Sequence, residues 1–156
     1  FTVQNMIEAS NILRKYKIPV MWIFLLGGPE ESNETVDETL LFIQQHIKKS
    51  DVAYFNIGIR IYPETEIQKS AIQEQQLTAD NMLVDPSFYF SNSLNLEDLK
   101  EKLNAFAKKN PNFIYSALVD GNAVVMGYKV ISLLHLPRHA WRYTPYFNRL
   151  KNLIGF

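Results

Sequence analysis

Apolar residues recur along the chain with two periods, one typical of helices and one typical of strands. Segment 2–16 has apolar residues at roughly helical spacing, which predicts an amphipathic helix. An unbroken apolar run over 20–26 then ends at the Gly-Gly-Pro turn 27–29. A strand that is apolar on both faces is typical of the centre of a parallel sheet. Ser32 and Asn33 are good N-caps for a second helix, whose apolar face contains Val36, Leu40, Ile43 and Ile47.

Segment 52–62 has the clearest strand pattern. Its apolar face comprises Ala53, Phe55, Ile57, Ile59 and Ile61, and its mixed polar and aromatic face comprises Tyr54, Asn56, Gly58, Arg60 and Tyr62. Because successive side chains of a strand point to opposite faces, we expect the apolar face to pack on helices and the mixed face to point into the fold. The order helix, strand, helix, strand with short loops predicts an α/β fold with parallel strands.

The second half of the chain is predicted to be mainly helical. Thr65 is expected to cap a short helix, Asn95 a longer one, and Thr144-Pro145 opens a last amphipathic helix. Segment 123–135 predicts a buried helix, although its many β-branched residues leave a strand as the alternative. The three aromatic residues at 88–90 are expected to belong to the core.

The amino-acid composition excludes several kinds of binding site from this chain. The 156 residues are 47% hydrophobic, which suits one domain with a real core, and Lys+Arg equals Asp+Glu at 16 each. The chain therefore has no excess of basic residues, which is the usual sign of a nucleic-acid-binding protein. The chain has no cysteine, so it cannot itself supply a disulfide, a zinc–thiolate site or the ligands of a cysteine-bound iron–sulfur cluster. Its three histidines do not form a ligand pattern, and we expect no metal site within the chain.

The start of the chain and its longest apolar runs bear on its location. No apolar run reaches the ~18 residues that indicate a membrane span, and the first residues do not resemble a signal peptide. We therefore expect a cytoplasmic protein without a transmembrane segment. Because the chain begins with Phe1, we expect that residue to be a boundary within a longer protein.

Two strand ends are candidate binding sites, because ligands bind at the carboxyl ends of parallel strands. At the first, Gly27 and Gly28 would let the backbone approach a ligand closely, although an ordinary tight turn explains the same residues. At the second, Arg60 would point inward, where a charged group needs a carboxylate or a ligand. The structural alternative for Arg60 is an ion pair, for example with Glu31.

Three segments resemble the late part of radical S-adenosylmethionine (radical SAM) barrels. Residues 25–32 with 34–43 resemble the family's Gly-x-Pro-Gly-Glu-Thr stretch and the helix after it, and residues 60–66 resemble its Arg-x-Tyr-Pro-Gly-Thr stretch one strand later. Residues 85–89 resemble a Pro-x-Phe-Tyr segment of relatives that carry a cobalamin-binding domain. The chain departs from the family at Glu30 and Glu64, which stand where the family usually has glycine. Since a side chain disfavours positive φ, the loop shapes are expected to differ.

The resemblance implies a fold and a division of the chain. Residues 1–75 would be the last strands of a partial parallel (β/α) TIM-type barrel, and residues 76–156 a mostly helical C-terminal extension. The family's CxxxCxxC loop, which holds a [4Fe–4S] cluster, would lie upstream, so this chain alone is expected to be an inactive part of an iron–sulfur oxidoreductase. Open sheet edges of a partial barrel tend to pair, so we expect the chain to self-associate or to cover those edges with its C-terminal helices.

The resemblance also implies the cofactors and the site residues. S-adenosylmethionine and a [4Fe–4S] cluster would serve the parent enzyme, and cobalamin is a further candidate. The residues implied to bind S-adenosylmethionine are Ile23, Leu25, Gly27, Gly28, Arg60, Ile61 and Tyr62, and those implied to face a small-molecule substrate are Tyr54 and Asn56. Two alternatives stay open: a stand-alone partial barrel that binds or dimerises, and a non-radical barrel enzyme that holds a phosphate at Gly27 and Gly28. The substrate and the catalytic residues cannot be identified from the sequence.

Overall fold

A computed structural model describes residues 2–115, 129–135 and 140–154. The helices and strands of the first 115 residues are α1 (Val3–Lys15), β1 (Met21–Leu26), α2 (Asn33–His46), β2 (Val52–Ile57), β3 (Ile59–Arg60), α3 (Glu66–Gln73), β4 (Phe88–Tyr89), α4 (Leu96–Lys109) and β5 (Phe113–Tyr115). Residues 129–133 are helical. A 3₁₀ turn at Ala140–Tyr143 leads into a C-terminal helix, Thr144–Ile154. Residues 123–128 of the helix predicted over 123–135 lie outside the described residues.

Three predicted N-cap positions are confirmed, and two of these residues accept hydrogen bonds from amides at the start of their helix. The side-chain oxygen of Asn95 accepts hydrogen bonds from the amides of Glu97 at 2.9 Å and Asp98 at 3.1 Å. Thr65 caps α3 by accepting from the amide of Gln68 at 3.3 Å. Ser32 stands at the N-cap of α2. Short-range sequence signals therefore fix where these three helices begin.

The sheet is parallel, as the alternation of helices and strands predicts. Its strand order is β1-β2-β5, and β1 and β5 each pair in parallel with β2. The α/β class is thus confirmed. The described residues form three parallel strands and no closed barrel.

Segment 52–62 is not one continuous strand, contrary to the sequence prediction. It breaks at Gly58, whose φ of 86° lies in the left-handed region that favours glycine. After this bend β3 leaves the parallel sheet and pairs antiparallel with β4, forming a separate two-stranded ribbon. A glycine inside a strand pattern is a known sign of such a bend.

One hydrophobic core lies between the sheet and the helices α2 and α4. Phe55 of β2 is at its centre, with ring centroids 5.8 Å from Phe24, 6.4 Å from Phe106 and 6.2 Å from Phe113. The fully buried members include Leu26, Val36, Ile43, Leu99 and Leu103. Since residues from 26 to 115 share this core, it spans the division that the resemblance implies at residues 75 and 76.

A second, smaller core lies under the ribbon and joins it to α3. Its buried members are Ile61, Ala71, Leu77 and Tyr89. The ribbon therefore has one buried face and one exposed face.

Polar contacts tie α1 and the C-terminal helix to the amino ends of the strands. Arg14 of α1 donates a hydrogen bond to the carbonyl of His46, the last residue of α2. Asn148 of the C-terminal helix donates to the carbonyl of Pro111, before β5, at 2.9 Å.

Asp51, just before β2, is buried, and its burial raises the pKa of its carboxyl group. None of the helices in the described ranges is long and apolar enough to cross a membrane.

Candidate functional site

The sheet has a second face, which the helices α2 and α4 leave uncovered. On β1, Ile23 is 58% exposed and Leu25 is 52% exposed, whereas Leu26 on the other side is 1% exposed. In the parallel register Ile23 lies beside Tyr54, and Leu25 lies beside Asn56. We call these four side chains the open face. The sequence predicts Ile23 and Leu25 as cofactor-binding residues and Tyr54 and Asn56 as substrate-facing residues, and the structure brings all four together.

The position of β1 differs from the sequence prediction. A strand that is apolar on both faces is expected at the centre of a sheet, but within the described residues β1 pairs only with β2 and forms an edge. The apolar pattern indicates that both faces of the strand are suited to burial, but it does not show which elements lie beside the strand. β1 therefore leaves apolar surface exposed on the open face, and no strand of the described residues pairs with its second edge.

The Gly27-Gly28 turn already holds a carboxylate. The amides of Gly27 and Gly28 both donate to Oε2 of Glu31, and the Gly28 bond is 3.0 Å long. An ion pair between Arg60 and Glu31, the structural alternative from the sequence, is therefore wrong. An external phosphate at these two amides would first have to displace the Glu31 carboxylate.

Packing against Phe90 accounts for glycine at position 27. A Cβ atom on Gly27 would lie 2.5 Å from Cδ2 of Phe90, and the φ of Gly27 is 91°. The next residue, Ser91, donates from its amide to the carbonyl of Gly27 at 3.0 Å and from its hydroxyl to the carbonyl of Glu31 at 2.8 Å. The chain around Phe90 thus crosses the carboxyl end of β1, a contact that the sequence pattern did not predict.

The other three predicted cofactor residues do not share one environment. Ile61 is 3% exposed and belongs to the core beneath the ribbon, so its side chain is not available to a ligand. Arg60 and Tyr62 are exposed, and the guanidinium of Arg60 lies over the Tyr62 ring at 5.1 Å from its centroid. Among the described residues no carboxylate lies within ion-pair distance of Arg60.

Glu30 and Glu64 adopt a backbone conformation that favours glycine, although a residue with a Cβ atom is expected to avoid it. Both residues have a φ of 62°, in the left-handed region. A left-handed conformation costs an L-residue roughly 1–2 kcal/mol. Each turn therefore carries backbone strain at the carboxyl end of a strand.

Replacing Glu30 and Glu64 with glycine, singly, should raise the free energy of unfolding by about 0.5–1 kcal/mol each. The substitution removes the left-handed strain of about 1–2 kcal/mol and adds chain entropy to the unfolded state of about 0.5–1 kcal/mol. Urea denaturation followed by circular dichroism measures the change as a shift of the midpoint at constant slope. As a control, Glu38→Gly inside α2 should lower stability by about 1 kcal/mol. A loss of stability at position 30 or 64 would contradict the strain argument.

A hydrogen-bonded network fixes the ribbon to the loop after α3. The Tyr89 hydroxyl donates to the Glu74 carboxylate at 2.9 Å, and the Gln76 amide bonds to both the amide and the carbonyl of Phe90, at 3.1 and 2.7 Å. Burial, together with the hydrogen bond to Glu74, raises the pKa of Tyr89 to about 12. Because every member has a partner, this network holds structure in place and does not present a free acid or base.

Within the described ranges no group of three or more His, Cys, Asp and Glu side chains could hold a metal ion. No family model, no curated protein and no solved structure matches the chain. Two kinds of observation bear on function: the geometry of the site and the resemblance of its motifs.

Proposed function

We propose that the chain forms part of the binding wall of a radical SAM enzyme and presents its open face to S-adenosylmethionine and substrate. The observation that carries the proposal is the open face itself: a parallel sheet covered by helices on one side, with Ile23, Leu25, Tyr54 and Asn56 aligned on the other. In a parallel barrel the helix-covered side is the outside, and the uncovered side faces the lumen.

The loop geometry supports the same proposal. The two positions at which the family usually has glycine are the ones at which Glu30 and Glu64 adopt positive φ. A backbone that keeps a strained shape without glycine indicates that the surrounding structure requires that shape. The positive φ at both positions supports the proposal, because glycine adopts this conformation readily.

The side chains of the open face suit a nucleoside better than an ion. Ile23 and Leu25 offer apolar surface to a planar base, and the Asn56 side-chain amide can donate and accept hydrogen bonds. A [4Fe–4S] cluster does not fit this chain, since the chain has no cysteine and its described residues contain no alternative ligand group. Any such cluster would need ligands from outside this sequence.

Titration of the ¹⁵N-labelled chain with S-adenosylmethionine tests the proposal. We expect chemical-shift changes at the amides of residues 23, 25, 54 and 56, and we expect Leu25→Lys to abolish them, because a charged side chain would occupy the apolar surface. The matched control is Leu41→Lys on α2, because Leu41 is also 52% exposed but lies on a helix.

Two results would overturn this proposal. One is the absence of shift changes on the open face at millimolar S-adenosylmethionine in a sample that sedimentation velocity shows to be monomeric. The other is an equal loss of binding in Leu25→Lys and Leu41→Lys, which would indicate a general effect of added charge.

The two alternative functions differ in their support. Phosphate binding at Gly27 and Gly28 is disfavoured, because the Glu31 carboxylate already accepts hydrogen bonds from both amides. A role as a module that associates through its sheet is favoured by the free edge of β1 and the exposed apolar side chains beside it.

A further inference from the structure

The ribbon formed by β3 and β4 has two faces of different character. Arg60 lies opposite Phe88 in the antiparallel register, and Ile59 lies opposite Tyr89. Tyr89 is 1% exposed on the buried side, whereas Phe88 is 57% exposed and Tyr62 is 54% exposed. A ribbon with one buried face normally carries polar side chains on the other face. Here the exposed face, which we call the ribbon face, consists of Arg60, Tyr62 and Phe88.

The guanidinium of Arg60 is held in place but is not neutralised. It lies 5.1 Å from the centroid of the Tyr62 ring, within the range of a cation–π contact. Among the described residues it has no carboxylate partner and no hydrogen-bond acceptor within bonding distance. A stacked guanidinium keeps its N–H groups at the edge of the plane free, and these groups match the geometry of phosphate and carboxylate oxygens.

We infer that the ribbon face binds an anionic ligand that carries a planar base, of the nucleoside monophosphate class. The aromatic part of the ligand would stack on the exposed ring of Phe88, which lies directly across the ribbon from Arg60. The anionic part would accept hydrogen bonds from Arg60. A positive guanidinium that stacks on the Tyr62 ring and lies opposite Phe88 in the register favours an anion over a cationic ligand such as S-adenosylmethionine. Arg60 and Tyr62 are thereby assigned, with Phe88, to a ligand distinct from the one on the open face.

The sequence alone did not indicate Phe88. As part of an aromatic triplet it is expected in the core, but the triplet divides: Tyr89 is buried, Phe90 packs on Gly27, and Phe88 faces solvent. The strand alternation at positions 88 and 89, once paired with β3, separates the exposed ring from the buried one.

The experiment is an NMR titration of the ¹⁵N-labelled chain with three separate probes: adenosine 5′-monophosphate, adenosine and inorganic phosphate. We expect the monophosphate to shift signals of residues 60, 62 and 88 and to bind more tightly than either other probe. Phe88→Ala and Arg60→Lys should each raise the dissociation constant about tenfold, the factor that corresponds to about 1.4 kcal/mol. Arg60→Lys keeps the charge but removes the planar donor fork.

The matched control is the other exposed cation–π pair. Lys15 lies over the Tyr16 ring at 5.8 Å, and Tyr16 is 65% exposed, but this pair belongs to α1. Tyr16→Ala should leave the dissociation constant unchanged. The inference is overturned if the monophosphate shifts no ribbon signal, if Phe88→Ala binds as the wild type does, or if phosphate alone reproduces the shifts.

The outcome is independent of the proposed function. S-adenosylmethionine shifts on residues 23, 25, 54 and 56 without monophosphate shifts on the ribbon would support the proposed function and overturn this inference. The opposite pattern would support a nucleotide site on the ribbon face and remove the support for a radical SAM wall.

Discussion

Replacing Gly27 with alanine should lower the free energy of unfolding by about 3 kcal/mol. Two effects add at this position. The φ of 91° places a side chain in the left-handed region, which costs about 1–2 kcal/mol, and a Cβ only 2.5 Å from the Phe90 ring forces overpacking, which typically costs about 1–3 kcal/mol. Since domains of this kind are stable by only about 5–15 kcal/mol, chemical denaturation measures such a loss readily.

Gly28→Ala is the control for Gly27→Ala. A Cβ at Gly28 would lie 3.2 Å from Cδ1 of Ile59, the end of a flexible side chain, so the loss should stay below about 1 kcal/mol. A double-mutant cycle separates the two effects: with Phe90→Ala present, Gly27→Ala should cost less by about 0.5–3 kcal/mol. Equal losses at positions 27 and 28 would show that Phe90 does not determine the need for glycine.

The same contact changes how the Gly-Gly turn is interpreted. From the sequence, paired glycines at a strand end suggest close approach of a ligand or a tight turn. The structure favours the second explanation at Gly27, because Phe90 fills the space and Glu31 binds the amides. Candidate ligand contacts therefore lie on the open face and the ribbon face, where Leu25 and Phe88, for example, are more than half exposed.

Features that depend on neighbouring residues in the sequence could be predicted. The N-caps Ser32, Thr65 and Asn95 determine where α2, α3 and α4 begin, and side-chain alternation correctly grouped Tyr54 with Asn56. The parallel pairing of β1 and β2 also followed from the helix between them. In each case a short-range rule was sufficient.

Features that depend on distant residues could not be predicted. β5 continues the parallel sheet from within the segment assigned to a helical extension, since its three residues are too short to give a clear period. The edge position of β1 depends on what lies beside it in space. The left-handed conformation of Glu30 and Glu64 runs against the preference of a residue with a Cβ atom, so local rules predicted the opposite.

The sequence predicted part of the candidate site, because short-range rules place some of its residues and distant contacts place the others. Ile23, Leu25, Tyr54 and Asn56 share a face because strand alternation and parallel register are regular. The bend at Gly58 lets β3 leave the sheet, and Ile61, which belongs to the apolar face of the strand pattern, packs in the core beneath the ribbon. The backbone contact with the nucleoside that the resemblance implies near Ile61 stays a prediction. Phe88 was missed because only its pairing partner shows which of three adjacent aromatic residues is exposed.

The 156-residue chain should self-associate through β1 at micromolar concentration. The strand has six residues and contains no charge and no proline, the features with which exposed sheet edges usually avoid pairing. Ile23 and Leu25 add apolar surface that becomes buried on contact. The formal net charge of the chain is zero, so general electrostatic repulsion opposes association only weakly.

Leu25→Lys should weaken this association by at least about tenfold, because burying an unpaired ammonium group against a second sheet is strongly unfavourable. Sedimentation velocity over a hundredfold concentration range would measure the effect. Leu41→Lys adds the same charge at the same 52% exposure, but on α2, and should associate as the wild type does. A monodisperse wild-type monomer, or an equal effect of both lysines, would exclude β1 as the association surface. The open face would then be free to bind a small molecule in the isolated chain, whereas association through β1 would make the partner strand a competitor for that face.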